Sequence, residues 1–249
     1  MIRPGPVGGF ILQVLALLVL AADPGLGPAG WVVGLAYGGA VWAGLTRGLN
    51  HGGTGRLGPA DWVTLVRAVL VGATAALVAD VLAGAERHAL TVVLAAIALT
   101  LDAVDGAVAR RTGTASRLGA RFDMEVDSFL LLVLSLYVTP TVGAWVLAIG
   151  GMRYAFVAAG WFLPWLRAPL PPRYWRKVVA ATQGVVLVAI ATEILPRALG
   201  VAAGAIALLL LVEAFARDVV WLWRHRGDVA YPGRLGSGHM GPGRLPTSR

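Results

Sequence analysis

Apolar runs alternate with short polar breaks through most of the chain. The runs lie at 9–22, 31–45, 61–81, 89–108, 122–138, 142–163, 178–195 and 199–223, and the breaks carry Gly, Pro and Arg. A bilayer's hydrocarbon core takes about 20 apolar residues of helix to cross. Backbone polar groups in lipid must be satisfied within the segment, which favours helices. The pattern therefore predicts an all-α fold, a polytopic membrane helix bundle of about eight transmembrane helices. The run at 9–22 is short for a span, follows Arg3 and ends in Leu20-Ala21-Ala22-Asp23-Pro24, a pattern that also suits a signal peptide. A retained helix is the reading adopted, because flanking residues extend it and many spans follow.

Composition agrees with the pattern. With 57% hydrophobic and 14% charged residues and a mean hydropathy of +0.74, the chain lacks the balance of a soluble domain. A formal charge of +8 raises nucleic acid as a partner, but the basic residues are scattered between apolar runs instead of forming one patch interleaved with aromatics. No nucleic acid is expected, and the absence of Cys excludes disulfides. Placing the N-terminus, the breaks at 47–59, 109–121 and 164–177, and the tail from 224 on one side gathers sixteen Lys and Arg there, against Arg87 and Arg197 opposite. The positive-inside rule then puts both termini and the 109–121 break in the cytoplasm, of the plasma (inner) membrane if the source is bacterial. Trp221 and Trp223, followed by Arg224 and Arg226, form an interfacial anchor, and the Gly-, Pro- and Arg-rich tail is expected to be disordered.

The chemistry concentrates between Asp102 and Asp127. Asp102 and Asp105 share a face if 94–110 is helical, and Asp123 and Asp127 share one if the next helix starts near Gly119. Four carboxylates converging at the end of an apolar hairpin repel one another unless cations lie between them or some are protonated. Oxygen-only ligands suit magnesium, manganese or calcium, and none of the four His lies in this stretch. Two cations about 3.5–4 Å apart would form the arrangement that stabilises both oxygens of a phosphoryl displacement. Gly106 and Ala109 follow Asp102 on its face and leave room for a ligand near the backbone, or serve only close helix packing. Arg110 offers a planar fork suited to phosphate.

The run D-x2-D-G-x2-A-R-x8-G-x3-D-x3-D resembles the signature of the CDP-alcohol phosphotransferases, membrane enzymes that move a phosphatidyl or similar group from a CDP-linked donor to an alcohol. All eight specified positions match over 26 residues without insertion. The resemblance implies a six-helix catalytic core, here 59–223, behind two additional N-terminal helices and a loop in 1–58, with a basic tail at 224–249. It implies two Mg2+ or Mn2+ ions held by Asp102, Asp105 and Asp123. Asp127 would be the general base toward the acceptor hydroxyl while also touching a metal, and Gly106, Ala109, Arg110 and Gly119 would contact the nucleotide. Asp61-x2-Thr64-x2-Arg67 resembles the family's N-x2-T-x2-R element, which adds Thr64 and Arg67 as donor contacts. Asp61 replaces the usual Asn and by itself reads as a helix N-cap.

Arg153, in the sixth run, is costly in lipid and therefore a functional candidate, with a structural pair to a nearby carboxylate as the competing reading. Glu125 points away from its neighbouring aspartates by helical spacing, as a salt-bridging residue would. Arg153 and the basic cluster Arg173, Arg176 and Lys177 correspond to family positions that hold an acceptor phosphate. Lys177 and Gln183 resemble part of the phosphatidylglycerophosphate synthase pattern, but Val179 and Ala180 depart from it. The implied reaction is phosphatidyl transfer from CDP-diacylglycerol to an alcohol, glycerol 3-phosphate first and inositol phosphate second, with CMP released. A homodimer is a family expectation that no residue pattern here specifies. The rival of another class is a cation-coupled transporter. It is disfavoured because all four aspartates cluster at one membrane surface, leaving no acidic path across the bilayer.

Overall fold

The computed structural model of the protein describes residues 4–51, 59–86, 88–112, 117–171 and 173–226; the side chains of residues 4, 51, 59–60, 103–112, 117 and 174 fall outside that description. Among the described residues there are eight α-helices and no strand. In chain order they are α1 (Pro4–Ala22), α2 (Pro28–His51), α3 (Pro59–Leu82), α4 (His88–Thr112), α5 (Arg117–Val142), α6 (Leu147–Phe162), α7 (Tyr174–Ala191) and α8 (Arg197–Arg224). Short 3-10 turns precede α6 at Ala144–Val146 and follow it at Pro164–Arg167.

Six of the eight are long and apolar enough to span a membrane: α1, α2, α3, α5, α6 and α8. The part of α4 whose side chains are described, His88–Asp102, is a shorter apolar helix, and α7 is an 18-residue helix with Arg176 and Lys177 in its first turn. The chain is thus an integral membrane protein by its apolar helices, with two further helices completing the bundle. The first run is longer than its apolar stretch suggests, because α1 begins at Pro4. The basic break expected at 110–121 is mostly helical: α4 continues to Thr112 and α5 starts at Arg117. Asp61 is not an N-cap, since α3 has already begun at Pro59; it is buried in the first turn. The tail expected to be disordered lies outside the described residues.

Helix α3 is the hub and packs against α1, α2, α4 and α5. Small residues allow this: Ala68, Ala75 and Ala76 of α3 and Ala95 and Ala98 of α4 are buried at the contacts. In lipid, association rests on such close packing and on polar contacts between helices. One polar contact joins the N-terminal pair to the rest. Buried Asp80 of α3 accepts the backbone N–H of Gly27 at 2.6 Å and of Gly30 at 2.7 Å, capping the first turn of α2 from another helix. On the far side, a Cβ at Gly150 of α6 would lie 2.4 Å from the Leu132 Cα of α5, so only glycine permits those backbones to touch. This contact seats α6 against the helix that carries Asp123 and Asp127.

Candidate functional site

Three helices bring one side chain each, or two, to a common point. Arg67 comes from α3, Asp102 from α4, and Asp123 and Asp127 from α5, where they are one turn apart. The Arg67 side chain is only 1% exposed, while the three carboxylates are each about 40% exposed. Its Nη1 pairs with Asp102 Oδ1 and its Nη2 with Asp123 Oδ1, and Nη2 lies 2.9 Å from Asp127 Oδ1. The Asp123 backbone carbonyl accepts from Nη2 at 3.5 Å. A planar guanidinium suits this task because its fork presents several donors at fixed angles.

Carboxylate oxygens of Asp102, Asp123 and Asp127 all lie within 4.8 Å of one another. Among the described side chains, three half-exposed carboxylates face one guanidinium, an acidic excess that suits a divalent cation. The donor set is oxygen alone, which fits magnesium or manganese. Asp105 lies in the same helical segment as Asp102, but its side chain, with Gly106, Ala109 and Arg110, lies outside the described residues. Gly119 sits in the first turn of α5, and Thr64 is buried one turn before Arg67 on α3.

The sequence reading places Arg67 with the donor, whereas the structure places it among the aspartates. Nothing in the sequence marks that pairing, because Arg67 and Asp123 are 56 residues apart. Of the acceptor candidates, Arg153 pairs through Nη2 with Glu125 Oε1, and its Nη1 lies 2.8 Å from Met124 Sδ. Arg153 thus has a nearby carboxylate, as its competing reading required, and that carboxylate is Glu125. Arg176 sits with its Nε 3.5 Å from Asp218 Oδ2 and donates to the Pro171 carbonyl. Lys177 is exposed, and Arg173 lines a different cleft, against α8.

A cavity of about 790 Å³ opens between α2, α5 and α6. Its walls are largely apolar, with Leu45, Phe122, Val126 and Phe129 among them and Tyr37 stacked on Phe129 at 4.5 Å. Arg121 and Glu125 add charge to the lining, and Phe122 and Val126 each adjoin a cluster aspartate in sequence. Composition and periodicity do not reveal this space, since half of its wall is α2.

An apolar helix bundle that gathers three carboxylates from two helices has the features of a membrane protein able to hold a metal ion. Residues 58–214 match the family model described as CDP-alcohol phosphatidyltransferase, and the chain belongs to that family of transferases. The match runs from just before α3 into α8. Family membership carries with it phospholipid biosynthesis, a CDP-alcohol donor, an alcohol acceptor and dependence on magnesium or manganese. No curated protein and no solved structure matches the chain. The homodimer finds no support.

Proposed function

We propose that the protein transfers a phosphatidyl group from CDP-diacylglycerol to a phosphorylated polyol, glycerol 3-phosphate before inositol phosphate, and releases CMP. The observation that carries this reading is the convergence of Asp102, Asp123 and Asp127 on one point, on a helix, α5, whose Phe122, Val126 and Phe129 also line an apolar cavity. A soluble CDP-alcohol would need no such cavity, whereas a diacylated donor has two chains to place. Pockets of about 300–1,000 Å³ are the usual range for a bound small molecule.

Asp127 is the residue assigned to take the proton of the acceptor hydroxyl as that oxygen attacks the β-phosphorus of the donor. The bond from that phosphorus to the CMP oxygen breaks, and CMP leaves. Asp102, Asp105 and Asp123 are assigned to hold two divalent cations, with Asp127 at their edge. Such cations would neutralise charge developing on the phosphoryl oxygens and on the leaving group. Arg67 orients the carboxylates by bridging α4 and α5. Thr64, Gly106, Ala109, Arg110 and Gly119 are assigned to the donor's nucleotide and phosphates. Arg153, Arg176 and Lys177 are the basic side chains assigned to the acceptor phosphate. The cluster and both termini are assigned to the cytoplasmic side, where nucleotide and polar acceptor are available.

The test is product formation from CDP-diacylglycerol with single acceptors, read by lipid mass. Glycerol 3-phosphate or inositol phosphate should yield the corresponding phosphatidyl product in stoichiometry with CMP. Product only from an unphosphorylated alcohol would overturn the acceptor assignment.

A further inference from the structure

Away from the aspartates, a cleft of about 440 Å³ lies between the start of α7 and the last turns of α8. Glu213, Arg217, Val220 and Arg224 recur every three or four residues and so share one side of α8, with Trp221 at its edge. Arg173, at the N-cap of α7, faces them across the cleft. This is the outer side of the helix, for the bundle-facing positions are Ala214, Asp218 and Leu222, which are buried.

The charges of the cleft are unevenly matched. Its one carboxylate, Glu213, is occupied: Arg217 pairs with it, and Trp175 donates Nε1 to its Oε2 at 3.4 Å. Among the described residues neither Arg173 nor Arg224 has an ion-pair partner. His225 stacks on Trp221 with ring centroids 4.3 Å apart, and its Nδ1 donates to the Trp221 carbonyl at 2.9 Å. Below these heads the wall is apolar, made of Ala216, Val220 and the Trp221 ring. Two unpartnered guanidiniums above an apolar wall complement an anion attached to a hydrocarbon chain.

The position fits that chemistry. Trp221 and Trp223, with Arg226 stacked over the Trp223 ring at 5.0 Å, form the aromatic and basic belt of a membrane–water boundary. Basic pockets between helices near the membrane surface bind anionic lipid headgroups. The carbonyl end of α8 contributes partial negative charge, so an anion there depends on the guanidiniums. We propose that this cleft is a non-catalytic binding site for the phosphate headgroup of an anionic membrane phospholipid, clamped by Arg173 and Arg224 with its chain along Ala216 and Val220. It does not rest on the identity of donor or acceptor.

The full-length protein, reconstituted in nanodiscs of equal phosphatidylglycerol and phosphatidylcholine and released for native mass spectrometry, provides the test. The wild type should retain one phosphatidylglycerol in preference to phosphatidylcholine by roughly tenfold. The Arg173→Gln/Arg224→Gln double variant should lose that preference, and Arg226→Gln should keep it. Ala216→Trp fills the cleft without changing its charge and should also abolish retention, which guards against misfolding of the charge variant. Equal retention of both lipids by the wild type, or an unchanged preference in both cleft variants, would overturn the proposal. So would complete displacement of the lipid by millimolar inorganic phosphate, since a free anion would then satisfy the site without a chain.

Discussion

Arg67 Nη2 lies 2.9 Å from Asp127 Oδ1, so the carboxylate assigned to the acceptor proton is tied to a guanidinium from another helix. The same guanidinium pairs with Asp102 and Asp123, which makes Arg67 the one positive side chain common to the three carboxylates among the described residues. Arg67 is buried while the three carboxylates stay about 40% exposed, so they remain accessible to a cation.

Replacing Arg67 separates its orienting role from its charge. Arg67→Gln should lower the rate of CMP release by about 100-fold or more, since misplacement of catalytic groups by about 1 Å carries a cost of that order. It should also increase the rise in melting temperature on adding manganese, because three carboxylates then lack their internal counter-charge. Thermal melts of both proteins with and without manganese check this. A smaller manganese effect in the variant would contradict the charge argument.

Asp80 fixes the N-terminal pair to the hub. Asp80→Asn keeps the shape but replaces one accepting oxygen by a donor, leaving a backbone N–H of Gly27 or Gly30 unmatched. Loss of a cap costs about 0.5–2 kcal/mol. A fall of a few degrees in melting temperature is expected, with the response of the protein to manganese preserved.

Gly150 tests the α5–α6 contact. A methyl group there would meet the backbone at Leu132, which cannot yield as a side-chain tip does. Gly150→Ala should destabilise by about 1–3 kcal/mol, the usual cost of overpacking, and should reduce CMP release by displacing α5. A variant as stable as the wild type would show that α6 shifts freely.

Arg153 distinguishes a structural pair from an acceptor contact. The partners are 27% and 58% exposed, so their mutual pairing is worth about 0–1 kcal/mol. A bond to an acceptor phosphate is worth more, about 1.5–3 kcal/mol. Arg153→Gln should therefore raise KM for the phosphorylated acceptor by about tenfold or more while Glu125→Gln changes it little. Equal effects of the two would assign Arg153 to structure alone.

Much of this was legible in the chain. Apolar runs located all eight helices, and the spacing of Asp102, Asp123 and Asp127 carried their convergence, because helical periodicity governs both. Residues far apart in sequence were not legible in this way. Arg67 and Asp102 are 35 positions apart and Asp80 and Gly30 are 50 apart, and no local pattern says which helices become neighbours. The apolar cavity was hidden for the same reason, since it exists only where α2 meets α5 and α6. Likewise, no local pattern pairs His88, the first residue of α4, with Tyr137 of α5, whose hydroxyl lies 2.8 Å from its Nδ1.

The central claim is that this cluster performs phosphatidyl transfer with Asp127 as base. The most direct measurement is CMP release from CDP-diacylglycerol by the purified protein with magnesium or manganese and glycerol 3-phosphate, beside Asp127→Asn. The account predicts acceptor-dependent release in the wild type and a loss of at least about 100-fold in the variant, within the range usual for a general base. Acceptor-dependent release that survives intact in Asp127→Asn would contradict it.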